Sequence, residues 1–266
     1  MTGEVLGYVA AWGALAITAA VYLGALGRVR GRSRGRAVAF VGGLALLGAS
    51  VASPIAQAAE ELLSWHMVQH LVMVFAVAPL LVLGAPVTLA LRAAPGRVRA
   101  AAGRLMHRGF PRLLLHPMTA WIGFALVLWG VHFSPLYDLA AGDPLWHALE
   151  HGLLLGAALL FWIPVAGGAP GPRLSHPVRL LYLVAAMPIQ AFLGLAIYSA
   201  GAVLYPHYAE ERSAAAAFGD QRDAGVIMWV GGDLAFVGAI AVVVWGWMRR
   251  ADLDARREDR RVQRAA

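Results

Sequence analysis

Seven long apolar segments dominate the chain and limit what it can fold into. They cover roughly residues 4–27, 37–58, 63–91, 117–137, 144–166, 178–204 and 223–248 of a 266-residue sequence that is 60% hydrophobic. An apolar stretch of about 20 residues matches the bilayer hydrocarbon, and backbone polar groups inside lipid must bond to one another. The sequence therefore predicts an all-α fold, a polytopic membrane bundle of seven transmembrane helices. We expect one domain over residues 1–249 and a charged tail over residues 250–266.

Positive charge falls on alternate connections between these segments. Twenty of the 22 arginines lie in the first, third and fifth connections or in the tail, and the other connections carry mostly acidic residues. Because basic residues concentrate on the cytoplasmic side, we expect the N-terminus outside and the C-terminus in the cytoplasm. The pI near 10.5 then reflects topology and contacts with anionic lipid, not nucleic acid. The first segment lacks a leading basic region, so we expect a retained span and no signal peptide.

The chain contains no cysteine. Disulfides, thiolate metal sites, iron–sulfur clusters and cysteine nucleophiles are therefore excluded. A site for a soft metal would have to use histidine and methionine, with carboxylates as harder ligands.

Two histidine pairs open two of the apolar segments. The strings are His66-Met67-Val68-Gln69-His70 and His147-Ala148-Leu149-Glu150-His151. On a helix the i, i+4 spacing places both imidazoles on one face, about 6 Å apart along the axis. Both segments are predicted to run inward from the outer face, and His132 lies near the outer end of the segment between them. Polar rings in hydrocarbon are costly and usually functional, so we predict a metal or haem site here.

Other polar and sulfur-containing side chains lie at membrane depth. Met73 continues the face of His66 and His70, and Met228 lies near the outer end of the last span; such methionines are thioether ligands or, more often, core. The polar candidates are Glu150, Gln190 and Asp233. A carboxylate in lipid binds a proton or pairs with a partner, so structural and ion-handling roles both stay open.

Several short strings occur together in a specific order. They are the two histidine strings, Pro79-Leu-Leu-Val-Leu-Gly-Ala-Pro86, His116-Pro117, Trp129-Gly-Val-His132, Phe161-Trp-Ile-Pro164, Met187-Pro188, Asp220-Gln221, Ile227-Met-Trp229 and Asp233. With this ordered set, from about residue 40 to 248, the chain resembles the CtaG-type cytochrome c oxidase assembly proteins. That family consists of seven-span bacterial membrane proteins.

The resemblance implies a non-catalytic role at the bacterial cytoplasmic membrane. It implies maturation of a haem–copper oxidase, with copper delivered to or held for an oxidase subunit. The family pattern maps onto these residues: His66, His70, His132, His147, His151, Met67, Met228, Asp220 and Asp233.

Three alternatives to copper handling stay open at this point. His70 and His151 could be the axial ligands of one b-type haem. A metal-dependent membrane enzyme, such as an oxygenase or hydrolase rich in carboxylates and histidines, would predict histidine clusters on the cytoplasmic side and more than five clustered ligands. A transporter would place Asp233 and Gln190 on its path. The sequence also leaves open whether the protein forms a homo-oligomer.

Overall fold

The computed structural model describes residues 2–29, 33–106, 108–167, 173–210 and 212–265. Arg30 and Arg32, which the charge pattern places in the first connection, lie outside the described residues. The described part of the chain is helical and contains no strand, so the predicted all-α class is confirmed.

Fourteen α-helices are present among the described residues. The first seven are α1 (Thr2–Arg28), α2 (Arg34–Val51), α3 (Pro54–Glu61), α4 (Leu63–Val72), α5 (Ala78–Gly84), α6 (Pro86–Ala93) and α7 (Gly96–Met106). The others are α8 (Gly109–Leu114), α9 (Pro117–Phe133), α10 (Pro135–Gly142), α11 (Pro144–Ala166), α12 (His176–Ser199), α13 (Ala214–Val226) and α14 (Gly232–Ala265). The π-helical segments Met73–Val77 and Ile227–Gly231 join α4 to α5 and α13 to α14.

Six helical stretches in the described residues are long and apolar enough to cross a membrane. They are Gly7–Arg28, Arg34–Val51, Leu63–Ala93, Pro144–Ala166, His176–Ser199 and Ala214–Gln263. The one predicted segment outside this set, 117–137, contains the shorter apolar helix α9, which has 17 residues. It ends early because Ser134 precedes a proline, adopts an extended conformation and caps α10. The last helix continues beyond residue 250 to Ala265, and its residues 251–263 are exposed and rich in charge.

The π-helical segment after α4 ties this helix to α11. The backbone N–H of Ala78 bonds to the carbonyl of Met73, and the next residue, Pro79, has no N–H to offer. The carbonyl of Val74 is therefore left for another donor, and Nε1 of Trp162 fills that place at 2.7 Å. This bond fixes α11 against the chain just beyond His70.

The second π-helical segment has a similar side-chain partner. Nε2 of Gln190 donates to the carbonyl of Met228 at 3.1 Å. A Cβ on Gly232 would lie 2.6 Å from Cγ of Gln190, so the absence of a side chain there makes room for the amide. Gln190, a candidate site residue in the sequence, thus supports the packing of α12 against the last helix.

Two glycines bring α12 and α13 into backbone contact. A Cβ on Gly194 would clash with the backbone nitrogen of Trp229, in the π-helical segment that continues α13, and one on Gly225 would lie 2.6 Å from the backbone nitrogen of Tyr198. Small residues at a crossing permit this close approach, which is common between membrane helices.

Candidate metal centre

Helix α4, which carries the first histidine pair, begins at a residue that cannot cap it. Its N-cap is Leu62, which makes no side-chain capping bond. Asp220 of α13 takes over this role, with Oδ2 accepting from the N–H of Leu63 at 2.8 Å and Oδ1 from that of Ser64 at 3.4 Å. A carboxylate there satisfies free N–H groups and stabilises the positive end of the helix dipole. Asp220 therefore positions the histidine helix.

Helix α11, which carries the second pair, is capped by its own sequence. Oδ1 of Asp143 accepts from the N–H groups of Leu145 at 2.8 Å and Trp146 at 3.2 Å. Pro144 stands at the first helical position, where a missing N–H costs nothing. This start places His147 and His151 in the first two turns of the helix.

Side chains from α4 and α11 meet in one group. His66, His70, Glu150 and His151 each offer a ligand atom, and these four atoms all lie within 4.8 Å of one another. His66 is 2% exposed, His70 1% and Glu150 0%. The two pairs predicted from the sequence thus converge around a buried carboxylate.

His66 has a hydrogen-bonding neighbour at each of its ring nitrogens. Burial raises the pKa of the Tyr208 phenol, so the hydroxyl keeps its proton and donates it to the carbonyl of Ala59 at 3.2 Å. The phenol oxygen also lies 3.1 Å from Nδ1 of His66. In the tautomer that carries its proton on Nδ1, His66 offers the lone pair of Nε2 to the group.

The proton of His70 follows from its contact with His132. Nδ1 of His132 lies 2.7 Å from the carbonyl of Leu128, which can only accept, so this nitrogen carries the proton. Nε2 of His132 then accepts from Nδ1 of His70 at 3.3 Å. His70 is left with a lone pair on Nε2, and the bond from its Nδ1 to His132 fixes the orientation of its ring.

Nε2 of His66, Nε2 of His70 and the carboxylate of Glu150 face one another in the buried group. Nε2 of His66 and Nε2 of His70 are 3.0 Å apart, and each lies 3.5 Å from an oxygen of Glu150. Neither Glu150 oxygen has a hydrogen-bond partner. Acceptors that meet without a proton repel, whereas a cation among them attracts all of them. Nitrogen ligands about 2.0–2.1 Å from a tetrahedral metal lie roughly 3.3 Å apart, so the group fits a metal ion.

Comparison with known proteins agrees with the resemblance seen in the sequence. A family model described as the cytochrome c oxidase caa3 assembly factor matches residues 20–250. The chain belongs to this family. No solved structure matches the chain.

Curated relatives of this assembly-factor family member come from mycobacteria. Proteins of Mycobacterium bovis and Mycobacterium tuberculosis, each described as uncharacterised, are 33% identical over 237 residues. A third, from Mycobacterium leprae, is 32% identical over 239 residues. In each case the match covers 85% of this chain and 36% of the relative. The chain thus spans about a third of the length of the curated relatives it matches.

Not every candidate residue from the sequence joins this group. Met67, Met73 and Met228 are buried in the main hydrophobic core, and the Met228 sulfur lies 3.8 Å from Nε2 of Gln190. Asp233 lies in the first turn of α14 with Oδ1 buried and without a hydrogen-bond partner. Within the described residues, the close group consists of three imidazoles and one carboxylate.

Three tyrosines around the histidines were missed by the sequence analysis. Tyr208 bonds to His66 as described, and the hydroxyl of Tyr205 donates to the carbonyl of His132 at 3.1 Å. The ring of Tyr137 lies 5.3 Å from that of His66 and 5.8 Å from that of His132. Tyr137 ends the predicted apolar segment 117–137 and lies in α10, whereas Tyr205 and Tyr208 lie in the connection after α12. Their position beside predicted outer helix ends was the available clue.

Proposed function

We propose that the chain supports cytochrome c oxidase assembly by holding a copper ion as cargo for an oxidase subunit. The observation that carries the proposal is the close approach of Nε2 of His66 and Nε2 of His70 to each other and to Glu150, whose buried oxygens accept no hydrogen bond. Membership of an oxidase assembly family supports the proposed role in oxidase assembly. The role is non-catalytic, and the protein acts within the bacterial cytoplasmic membrane.

The ligand chemistry suits copper. Imidazole nitrogens and a carboxylate bind Cu(II) well, and copper stands above its neighbours in the affinity order of divalent metals. The carboxylate also supplies negative charge against a divalent ion, which a buried site requires. His151 completes a group of four, and His132 holds His70 in its ligating tautomer.

The membrane arrangement that we propose has seven spans. Helix α9 has 17 residues and a length of about 26 Å, which a small local thinning of the bilayer accommodates. With seven spans the arginine distribution gives an outer N-terminus and a cytoplasmic C-terminus. The histidine group then lies at the outer face, where copper is taken up and passed on.

The geometry favours a metal ion over a haem. His70 and His151 would have to stand on opposite faces of a macrocycle, but Nε2 of His66 lies only 3.0 Å from Nε2 of His70. That nitrogen occupies space through which the porphyrin would extend. A transporter path through Gln190 is disfavoured because its amide is bonded to the carbonyl of Met228.

Metal content and the visible spectrum of the detergent-purified chain test the proposal. Wild type should bind copper near stoichiometrically without a Soret band, and the double variant His70→Ala/His151→Ala should lose it. His207→Ala is the matched control, because His207 is 30% exposed and outside the group. Equal copper in the double variant would remove these histidines from the site, and a Soret band would support haem.

A cellular measurement tests the assembly role. In a strain lacking the chromosomal copy, wild type and His207→Ala should restore oxidase activity. The double variant should insert into the membrane and fail to restore it. Full restoration by the double variant would refute copper handling by this group.

A further inference from the structure

We propose that His147 and His151 form a second ion position, through which copper enters and leaves the buried one. The deep position comprises His66, His70, Glu150 and His151; the shallow position comprises His147 and His151, so that His151 is shared. This inference rests on the proposed function and adds a route and a second binding position to it.

The shallow position has the geometry of a ligand pair. Nε2 of His147 lies 3.2 Å from Nε2 of His151, which is close to the roughly 3.3 Å expected for two nitrogens on one tetrahedral ion. The two ring planes make an angle of 70°. An imidazole binds a metal in its own plane, so planes that cross steeply allow both lone pairs to meet at one point.

His147 is poorly placed to join the deep position. Its ring stacks on that of His66, with centroids 5.1 Å apart and an angle of 21° between the planes. Because each lone pair lies in the plane of its ring, the lone pairs of two nearly parallel, stacked rings do not meet at one ion. The rings of the deep position cross instead, at 85° for His66 and His70 and at 75° for His70 and His151. His147 is therefore a surplus ligand that shares an ion only with His151.

Exposure separates the two positions. His66, His70 and Glu150 are at most 2% exposed, whereas His147 and His151 are half-buried. His147 also lies one turn closer to the start of α11 than Glu150 and His151. An ion that approaches from this end of the helix meets His147 before the buried ligands.

A shared ligand lowers the cost of moving the ion. A bare cation in a buried, low-dielectric site is very unfavourable, so ligands must be exchanged one at a time. The ring of His151 lies 4.3 Å from that of His147 and 5.4 Å from that of His70, centroid to centroid. It can therefore stay bound while His147 is replaced by the deep ligands, and the reverse sequence releases the ion.

The test separates the rate of binding from its extent. Cu(II) is added to the full chain in detergent and removed with excess EDTA, and both time courses are followed by absorbance or by tryptophan fluorescence. His147→Ala should reach nearly the wild-type occupancy with an unchanged nitrogen pattern in the Cu(II) electron paramagnetic resonance spectrum. Loading and removal should both slow by about tenfold or more. His147→Gln should behave similarly, and His207→Ala should match wild type.

Two results would overturn the shallow position while copper binding itself stands. Rates equal to wild type in both His147 variants would show that the ion bypasses His147. Loss of copper at equilibrium, in variants that stay monodisperse, would make His147 a ligand of the deep position. A wild-type chain that binds no Cu(II) would instead refute the proposed function, and this inference with it.

Discussion

Oδ2 of Asp220 accepts a hydrogen bond from the backbone N–H of Leu63 at 2.8 Å across 157 residues of sequence. This bond supplies the missing cap of the helix that presents His66 and His70. It also couples the histidine group to α13, which carries Asp220. Asp220 is held in turn by Arg212 at 3.3 Å.

Removing this cap should destabilise the protein. Asp220→Ala leaves two N–H groups of α4 unpaired, and we expect a loss of about 0.5–2 kcal/mol in unfolding free energy. Asp220→Asn keeps one acceptor oxygen, so its unfolding free energy should lie between those of wild type and Asp220→Ala. Thermal unfolding in detergent measures the effect. Asp223→Ala, an exposed position one turn along, is the control; an equal drop for both alanine variants would contradict the capping role.

Loss of His132 should weaken copper binding without abolishing it. His132 orients His70 through the bond to its Nδ1, and removing such a partner typically lowers metal affinity about 10–100-fold. We expect His132→Ala to bind copper at saturation with this reduced affinity, measured by competition with a chelator. His70→Ala, which removes a ligand, should show the larger loss. If the two variants were equal, His132 would have to be a ligand.

The bond between Trp162 and the Val74 carbonyl can be tested by compensation. Trp162→Phe leaves a buried carbonyl unpaired, because Pro79 has no N–H, and should cost about 1–3 kcal/mol of stability. Pro79→Ala supplies a backbone N–H five residues after Val74, where a π-helical bond to the Val74 carbonyl can form. The double variant should therefore lose less than the sum of the single changes in thermal unfolding. Strict additivity would mean that the two positions do not share this carbonyl.

The glycine crossing of α12 and α13 should tolerate no side chain. A methyl group on Gly194 meets the backbone nitrogen of Trp229, so Gly194→Ala should cost about 1–3 kcal/mol or more. Gly238→Ala is the matched control, because a Cβ there meets no atom within 4 Å and alanine favours the helix. Thermal unfolding of the two variants checks the difference. Similar stability in both would show that the crossing relaxes at little cost.

Some features of the site could be read from local sequence. The spacing of His66 and His70 and the spacing of His147 and His151 act within one or two turns of a helix. These are short-range relations, and the structure has them as predicted. The role of the methionines could not be read from the sequence, because a methionine in an apolar helix can pack in the core or ligate copper, and its position in the sequence is the same in both cases. The structure places Met67, Met73 and Met228 in the core.

The sequence by itself determined the helical class of this protein, its long apolar helices and the faces on which the paired histidines lie. These follow from hydrophobic length and helical periodicity, which neighbouring residues define. Only the tertiary structure decided that the two pairs converge, that Glu150 lies between them, and that Tyr208 and His132 contact the Nδ1 atoms of His66 and His70. Those facts depend on contacts between distant helices, and no local pattern encodes the order in which helices pack side by side.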